Sequence, residues 1–220
     1  MTPIDTASSL PVLIKTSGVV LHGDLTLPAE AVGLVVFAHG SGSSRHSSRN
    51  IAVAQLLQHA RLGTLLLDLL TEQEESVDVI TAEFRFDIAL LGERVVAAVD
   101  WARASPATSS LPIGLFGAST GAAAALIAAA DRPEFVRAVV SRGGRPDLAE
   151  DALDRVTAPT LLIVGGRDDV VIELNQQALA RLTAAKQLRI VPGATHLFEE
   201  PGTLDEVSRF ARDWFLEHLA

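Results

Sequence analysis

The chain has 220 residues, 48% of them hydrophobic, with 18 Lys and Arg against 27 Asp and Glu, hence a net charge of −9, and no cysteine. That length fits one α/β domain with a substantial core, so residues 1–220 are expected to form a single domain. The basic residues are scattered, which argues against a nucleic-acid partner, and without cysteine there are no disulfides, thiolate metal sites or thiol nucleophiles.

The opening "MTPIDTASSLPVLIK" has neither a basic n-region nor an apolar h-region, and a cytoplasmic location is expected. Strands are predicted at 11–16, 19–27, 33–38, 63–69, 113–116, 136–141, 160–164 and 188–191, with the last six buried. Runs such as "GLVVFAHG", "GTLLLDLL" and "PTLLIVGG" are continuously apolar, as strands covered on both faces are. Helices are predicted at 47–60, 82–105, 120–130, 173–182 and 203–218, with a weaker one at 148–155. The acidic stretch "LLTEQEESVDVITAEFRFD" is read as a polar loop, with Phe84 and Phe86 either walling a cleft or packing in the core. Thr203, with Glu206 three positions on, is expected to cap the last helix. Strand and helix alternate, which predicts a mostly parallel eight-stranded sheet with helices on both faces.

"LPIGLFGASTGAAAALIAAA", residues 111–130, has the length of a membrane span and no charge. Its Pro, its central Gly, Ser and Thr residues and its many alanines drive insertion weakly, and it divides instead into a strand, a tight turn and a helix. No membrane partner is expected. The turn reads Gly117-Ala118-Ser119-Thr120-Gly121, the G-x-S-x-G pattern in which small neighbours permit a sharp bend that lifts a serine above the sheet.

A serine hydroxyl needs a base to take its proton, and the base needs an acid to orient it. "LLIVGGRDDVV" offers Asp168 and Asp169 after a buried strand, and Asp168, first after the strand end, is the choice. "RIVPGATHLFEEPG" offers His196 in a loop, whereas His22, His59 and His218 fall on a strand and two helices. Ser, Asp and His then all follow strand carboxyl ends, where open α/β sheets bind ligands. "FAHGSGSSRHS" supplies a loop after the third strand, so the main-chain N–H groups of Ser41 and Thr120 are the expected oxyanion donors. That loop lacks the third glycine of a G-x-G-x-x-G dinucleotide site, where Arg45 stands instead.

With "VVFAHGSGSS", "LFGASTGAAAAL", "PTLLIVGGRDD" and "VPGATHLFEEPGTL" in that order, the chain resembles the α/β-hydrolase superfamily and, more narrowly, the dienelactone-hydrolase-like family. It is most similar to the hydrolase-like domain joined to a phosphoribosyltransferase domain in some bacterial proteins. The resemblance implies an α/β-hydrolase fold and a triad of Ser119, Asp168 and His196. One departure stands out: dienelactone hydrolases proper use a cysteine nucleophile, and position 119 is serine.

About fifteen residues join the sixth and seventh strands, so no large lid domain is expected. Arg45, Arg142 and Arg145 either receive an anionic part of the substrate or pair with neighbouring acids. The expected reaction is hydrolysis of a small ester, lactone or related acyl compound through an acyl-enzyme, with no metal or organic cofactor. The alternative is a protein that binds a ligand or partner on the same scaffold without turning it over.

Overall fold

A computed structural model describes residues 8–220. The first seven residues, part of the opening segment read above as having no leader, lie outside the described residues. Eight strands form one sheet in the order β1-β2-β4-β3-β5-β6-β7-β8. They are β1 (Leu10–Thr16), β2 (Val19–Thr26), β3 (Gly33–Ala38), β4 (Leu62–Leu67), β5 (Ile113–Ala118), β6 (Val136–Arg142), β7 (Thr160–Gly165) and β8 (Lys186–Val191). β1 and β2 pair antiparallel with their neighbours, and every pair from β4 to β8 is parallel. This is the α/β-hydrolase fold.

The helices are α1 (Ser48–His59), α2 (Glu72–Thr81), α3 (Ile88–Ala104), α4 (Thr120–Asp131), α5 (Asp169–Arg181) and α6 (Thr203–Leu219), with a 3₁₀ segment at Pro146–Arg155. Side chains of β3 alternate between two cores: Leu34, Val36 and Ala38 face α3 and α4, while Val35 and Phe37 face α1 and α6. Two covered faces explain why the strand reads as an unbroken apolar run. Phe37 and Phe116, neighbours in register, meet with ring centroids 4.8 Å apart. The 111–130 segment is β5, the turn and α4, and no helix among the described residues is long and apolar enough to cross a membrane.

The structure differs most from the sequence reading at four places. The acidic stretch is helical, because Thr71 and Glu74 form a reciprocal capping box: Glu74 N–H donates to Thr71 Oγ1 at 3.2 Å, and Thr71 N–H to the Glu74 carboxylate at 2.7 Å. The helix predicted over 82–105 begins only at Ile88, since Ala82 ends α2 in the left-handed region (φ 58°) and Asp87 caps α3 by accepting the Leu90 N–H at 3.0 Å. β8 is not buried; it is an edge strand whose exposed Lys186 and Arg189 discourage pairing with another chain. Gly202, not Thr203, stands at the N-cap of α6, and the Thr203 hydroxyl turns back to donate to Glu200 O at 2.8 Å.

Candidate active site

Ser119 sits between the end of β5 and the start of α4 with φ 50° and ψ −122°, a conformation that a residue with a Cβ adopts only where its surroundings force it. The flanking glycines show what forces it. A Cβ on Gly117 would lie 2.4 Å from Ala122 Cα, and one on Gly121 would lie 2.3 Å from Ala38 O. Strand, turn and helix are therefore in backbone contact, and Ser119 is the one residue from Gly117 to Gly121 that is not buried.

His196 lies in the loop after β8, and Asp168 at the N-cap of α5 just beyond β7. His196 Nδ1–H donates to Asp168 Oδ2 at 2.6 Å, which leaves Nε2 as the acceptor facing Ser119 Oγ at 3.4 Å. The second distance is long for a hydrogen bond, as catalytic contacts often are without substrate. The His196 side chain is 37% exposed and that of Asp168 17%, so the base is reachable while its partner is largely shielded.

The histidine loop is pinned from two sides. Phe198, buried at φ 57°, reverses the chain after His196, and the Glu200 carboxylate accepts the Thr195 N–H at 3.1 Å. Hydrogen bonds from Thr195 hold the Glu200 carboxyl below the usual carboxylate range. Sequence reasoning missed Glu200; the only hint was an acid placed shortly after the histidine in "THLFEEPG".

Ser41, in the loop after β3, and Thr120, first residue of α4, are brought together by their hydroxyls at 3.0 Å. Among the described residues neither main-chain N–H has an intramolecular acceptor, and Gly40 brings this loop against the nucleophile: a Cβ there would meet Ser119 Cβ at 2.9 Å. Two free donors thus flank the serine from separate elements.

The loop is fixed below by His39. Its Nδ1–H donates to Gly40 O at 2.9 Å and its Nε2 accepts the Leu69 N–H at 3.0 Å, so the neutral ring satisfies both contacts. Burial lowers the His39 pKa, and the Gly40 carbonyl, Asp68 and Glu75 offset this only in part. A cleft of about 690 Å³ opens beside the loop, lined by Gly42, Arg45, Asp68, Leu70 and Glu75 among others, though not by Ser119 or His196.

The three arginines have different surroundings. Arg45 is tied to Asp68 and lies 3.2 Å from Asp24, and Arg145 grips Asp147 at 2.8 Å. Arg142 is buried at the end of β6, where among the described residues its guanidinium hydrogen-bonds only Asn50 Oδ1, at 3.3 Å. Burial, with some repulsion from Arg49, pushes its pKa down to about 10. Phe84 packs partly buried against the core, whereas Phe86 is exposed. No group of three or more His, Asp or Glu with metal-binding geometry occurs among the described residues.

A Mycobacterium tuberculosis (strain H37Rv) protein, provisionally named a phosphoribosyl transferase, is 57% identical over 221 residues, which cover 98% of this chain and 49% of that protein. The chain spans about half the length of the curated relatives it matches. The crystal structure of a dienelactone hydrolase from Anabaena variabilis is 55% identical, covering 98% of this chain and 100% of that one with a TM-score of 0.96. Est1E from Butyrivibrio proteoclasticus, at 19% identity with a TM-score of 0.79 over 96% of this chain and 98% of that one, shares the fold. The dienelactone hydrolase family itself is matched over residues 68–215, a stretch that holds Ser119, Asp168 and His196, and the chain belongs to that family of hydrolases.

Proposed function

We propose that the chain is a serine hydrolase of small esters, lactones or related acyl compounds. The observation that carries this reading is the succession of contacts from Ser119 Oγ through His196 to Asp168 Oδ2, at 3.4 and 2.6 Å, beside two main-chain N–H groups without an acceptor among the described residues. His196 Nε2 takes the proton as Ser119 Oγ attacks the carbonyl carbon, and Asp168 holds the imidazole in its Nδ1–H tautomer and stabilises the imidazolium. The carbonyl oxygen becomes an oxyanion between the N–H groups of Ser41 and Thr120. As the intermediate collapses, His196 returns its proton to the leaving oxygen. Water, deprotonated by the same nitrogen, then attacks the acyl-enzyme and restores Ser119 with release of the acid.

Arg45 and Arg145 are already neutralised by carboxylates. An anionic acyl group would have to displace Asp68 or Asp147 from them, and Arg142, with no carboxylate partner among the described residues, is buried, so the reading favours an uncharged group. The chemistry calls for no cofactor.

Intact-mass analysis after treatment with a fluorophosphonate tests the proposal. One adduct on the wild type, absent from Ser119→Ala, is the expected result, and Asp168→Asn should lower kcat by about 10⁴-fold through loss of the correct tautomer. A folded wild type that takes up no adduct sinks the hydrolytic reading in favour of a binding-only role.

A further inference from the structure

Asp78 is fully buried within α2, away from Ser119, His196 and Asp168, and takes no part in proton transfer. One carboxylate oxygen accepts the main-chain N–H groups of Phe84 and Arg85 at 2.8 and 2.9 Å. The other accepts Arg85 Nε–H at 2.6 Å, and the Asp78 carbonyl accepts Arg85 Nη2–H at 2.7 Å. Four hydrogen bonds thereby fold the 84–85 segment onto the end of α2 and fix where the Arg85 carbonyl points.

That carbonyl can only accept, so it receives the Ser41 hydroxyl proton at 3.2 Å. With its single proton committed, Ser41 Oγ must be the acceptor in its 3.0 Å contact with Thr120 Oγ1. The chain therefore runs in one direction, from Thr120 hydroxyl to Ser41 hydroxyl to Arg85 carbonyl, and is anchored at Asp78. It joins the two residues whose main-chain N–H groups are the proposed oxyanion donors, one in the loop after β3 and one at the start of α4.

We propose that Asp78 and Arg85 are positioning residues for the oxyanion hole, setting the separation of the Ser41 and Thr120 N–H groups through the Ser41 hydroxyl. The inference rests on the serine-hydrolase reading. The loop needs such an anchor because Gly40 and Gly42 flank Ser41, and Gly42, at φ 64°, contributes no side chain of its own. A Cβ on Gly42 would lie 3.6 Å from Arg85 Nη1, which places the anchor directly against the loop. A donor displaced by about 1 Å costs on the order of 100-fold in rate, so a remote hydrogen bond that prevents such drift has a large kinetic effect.

The test is hydrolysis of p-nitrophenyl acetate by full-length Ser41→Ala, Asp78→Asn and the double variant, with binding of an alkyl boronic acid as a mimic of the tetrahedral adduct. Each single variant should lose about 10- to 100-fold in kcat, with boronate affinity falling in parallel and KM little changed, because the contact serves the transition state. The double variant should be no worse than the poorer single one, since both break the same chain. Unchanged kcat in folded Asp78→Asn, or losses that multiply in the double variant, would overturn the proposal.

Should Asp78→Asn not fold, Thr120→Val and Thr120→Ser decide: the valine must lose kcat and the serine, which keeps the hydroxyl, must recover it. Valine turnover equal to wild type overturns the inference. Fluorophosphonate labelling of Ser119 separates the two levels, because a wild type that does not label defeats the hydrolase reading itself, whereas normal labelling with indifferent variants defeats only the positioning role.

Discussion

Arg142 ends β6 with a guanidinium whose Nε and Nη1 are buried without any hydrogen-bond partner. Each such donor costs about 1–3 kcal/mol of desolvation that nothing returns. Against this stands one contact, the 3.3 Å hydrogen bond to Asn50 Oδ1, and the neighbouring charge is another cation, Arg49. Replacement by a linear apolar side chain removes two orphan donor atoms and orphans one acceptor. Arg142→Met is therefore expected to stabilise the protein by about 1–3 kcal/mol in urea denaturation, in line with other buried charges replaced by packed hydrophobes. A loss of stability would mean that the guanidinium has a favourable partner in solution. At this scale the sequence was informative about which side chains meet and poor about their environment: it supplied Ser119, Asp168, His196, Ser41 and Thr120, which the fold brings together, yet it left open which of Arg45, Arg142 and Arg145 would be paired. Pairing depends on carboxylates such as Asp24 and Asp68, which lie far from Arg45 in sequence.

At the scale of elements, the loop after β3 hangs on the neutral ring of His39, which donates to Gly40 O and accepts from Leu69 N–H. A second proton on Nε2 would cancel the Leu69 contact and place a charge in a buried site. Because burial lowers the folded pKa below that of the unfolded chain, the unfolded state binds more protons as the solution is acidified. The His39 contribution is thus complete above the ordinary histidine range and declines as pH falls from about 6.5 toward the lowered folded value. Denaturation curves at pH 7.5 and 5.5 should show wild type losing stability on acidification, with a smaller loss in His39→Gln; equal losses would remove His39 as the cause. Long, two-face-buried elements such as β3 were legible because continuous apolar runs report burial directly. The largest errors fell on α2 and β8. The Thr71–Glu74 capping box was present in "LLTEQEES" but was outweighed by the acidic composition, and "LRIV" looks buried until the topology puts β8 at the sheet edge.

For the whole molecule, the site exists because backbones from distant parts of the chain touch across the carboxyl edge of the sheet. Gly121 brings α4 onto β3, and Gly165 does the same for β7 and the histidine loop: a Cβ there would lie 2.5 Å from Ala194 O and 2.6 Å from Thr195 O. These contacts are between main-chain atoms, so no rotamer change can relieve them. Adding one methyl at Gly165 must push out the segment that carries His196, and His196 Nε2 already stands 3.4 Å from Ser119 Oγ. Gly165→Ala alters no group that transfers a proton or contacts a substrate carbonyl in the proposed mechanism. It is nevertheless expected to slow fluorophosphonate labelling of Ser119 by on the order of 100-fold for a displacement of about 1 Å. Asp168 should stay with β7, because it stands at the N-cap position of α5 and its own N–H donates to Gly165 O at 3.0 Å, on the strand side of the contact. A labelling rate equal to that of wild type in folded Gly165→Ala would show that the loop can shift as a unit without moving the imidazole, and that the close approach of β7 to the loop serves packing alone.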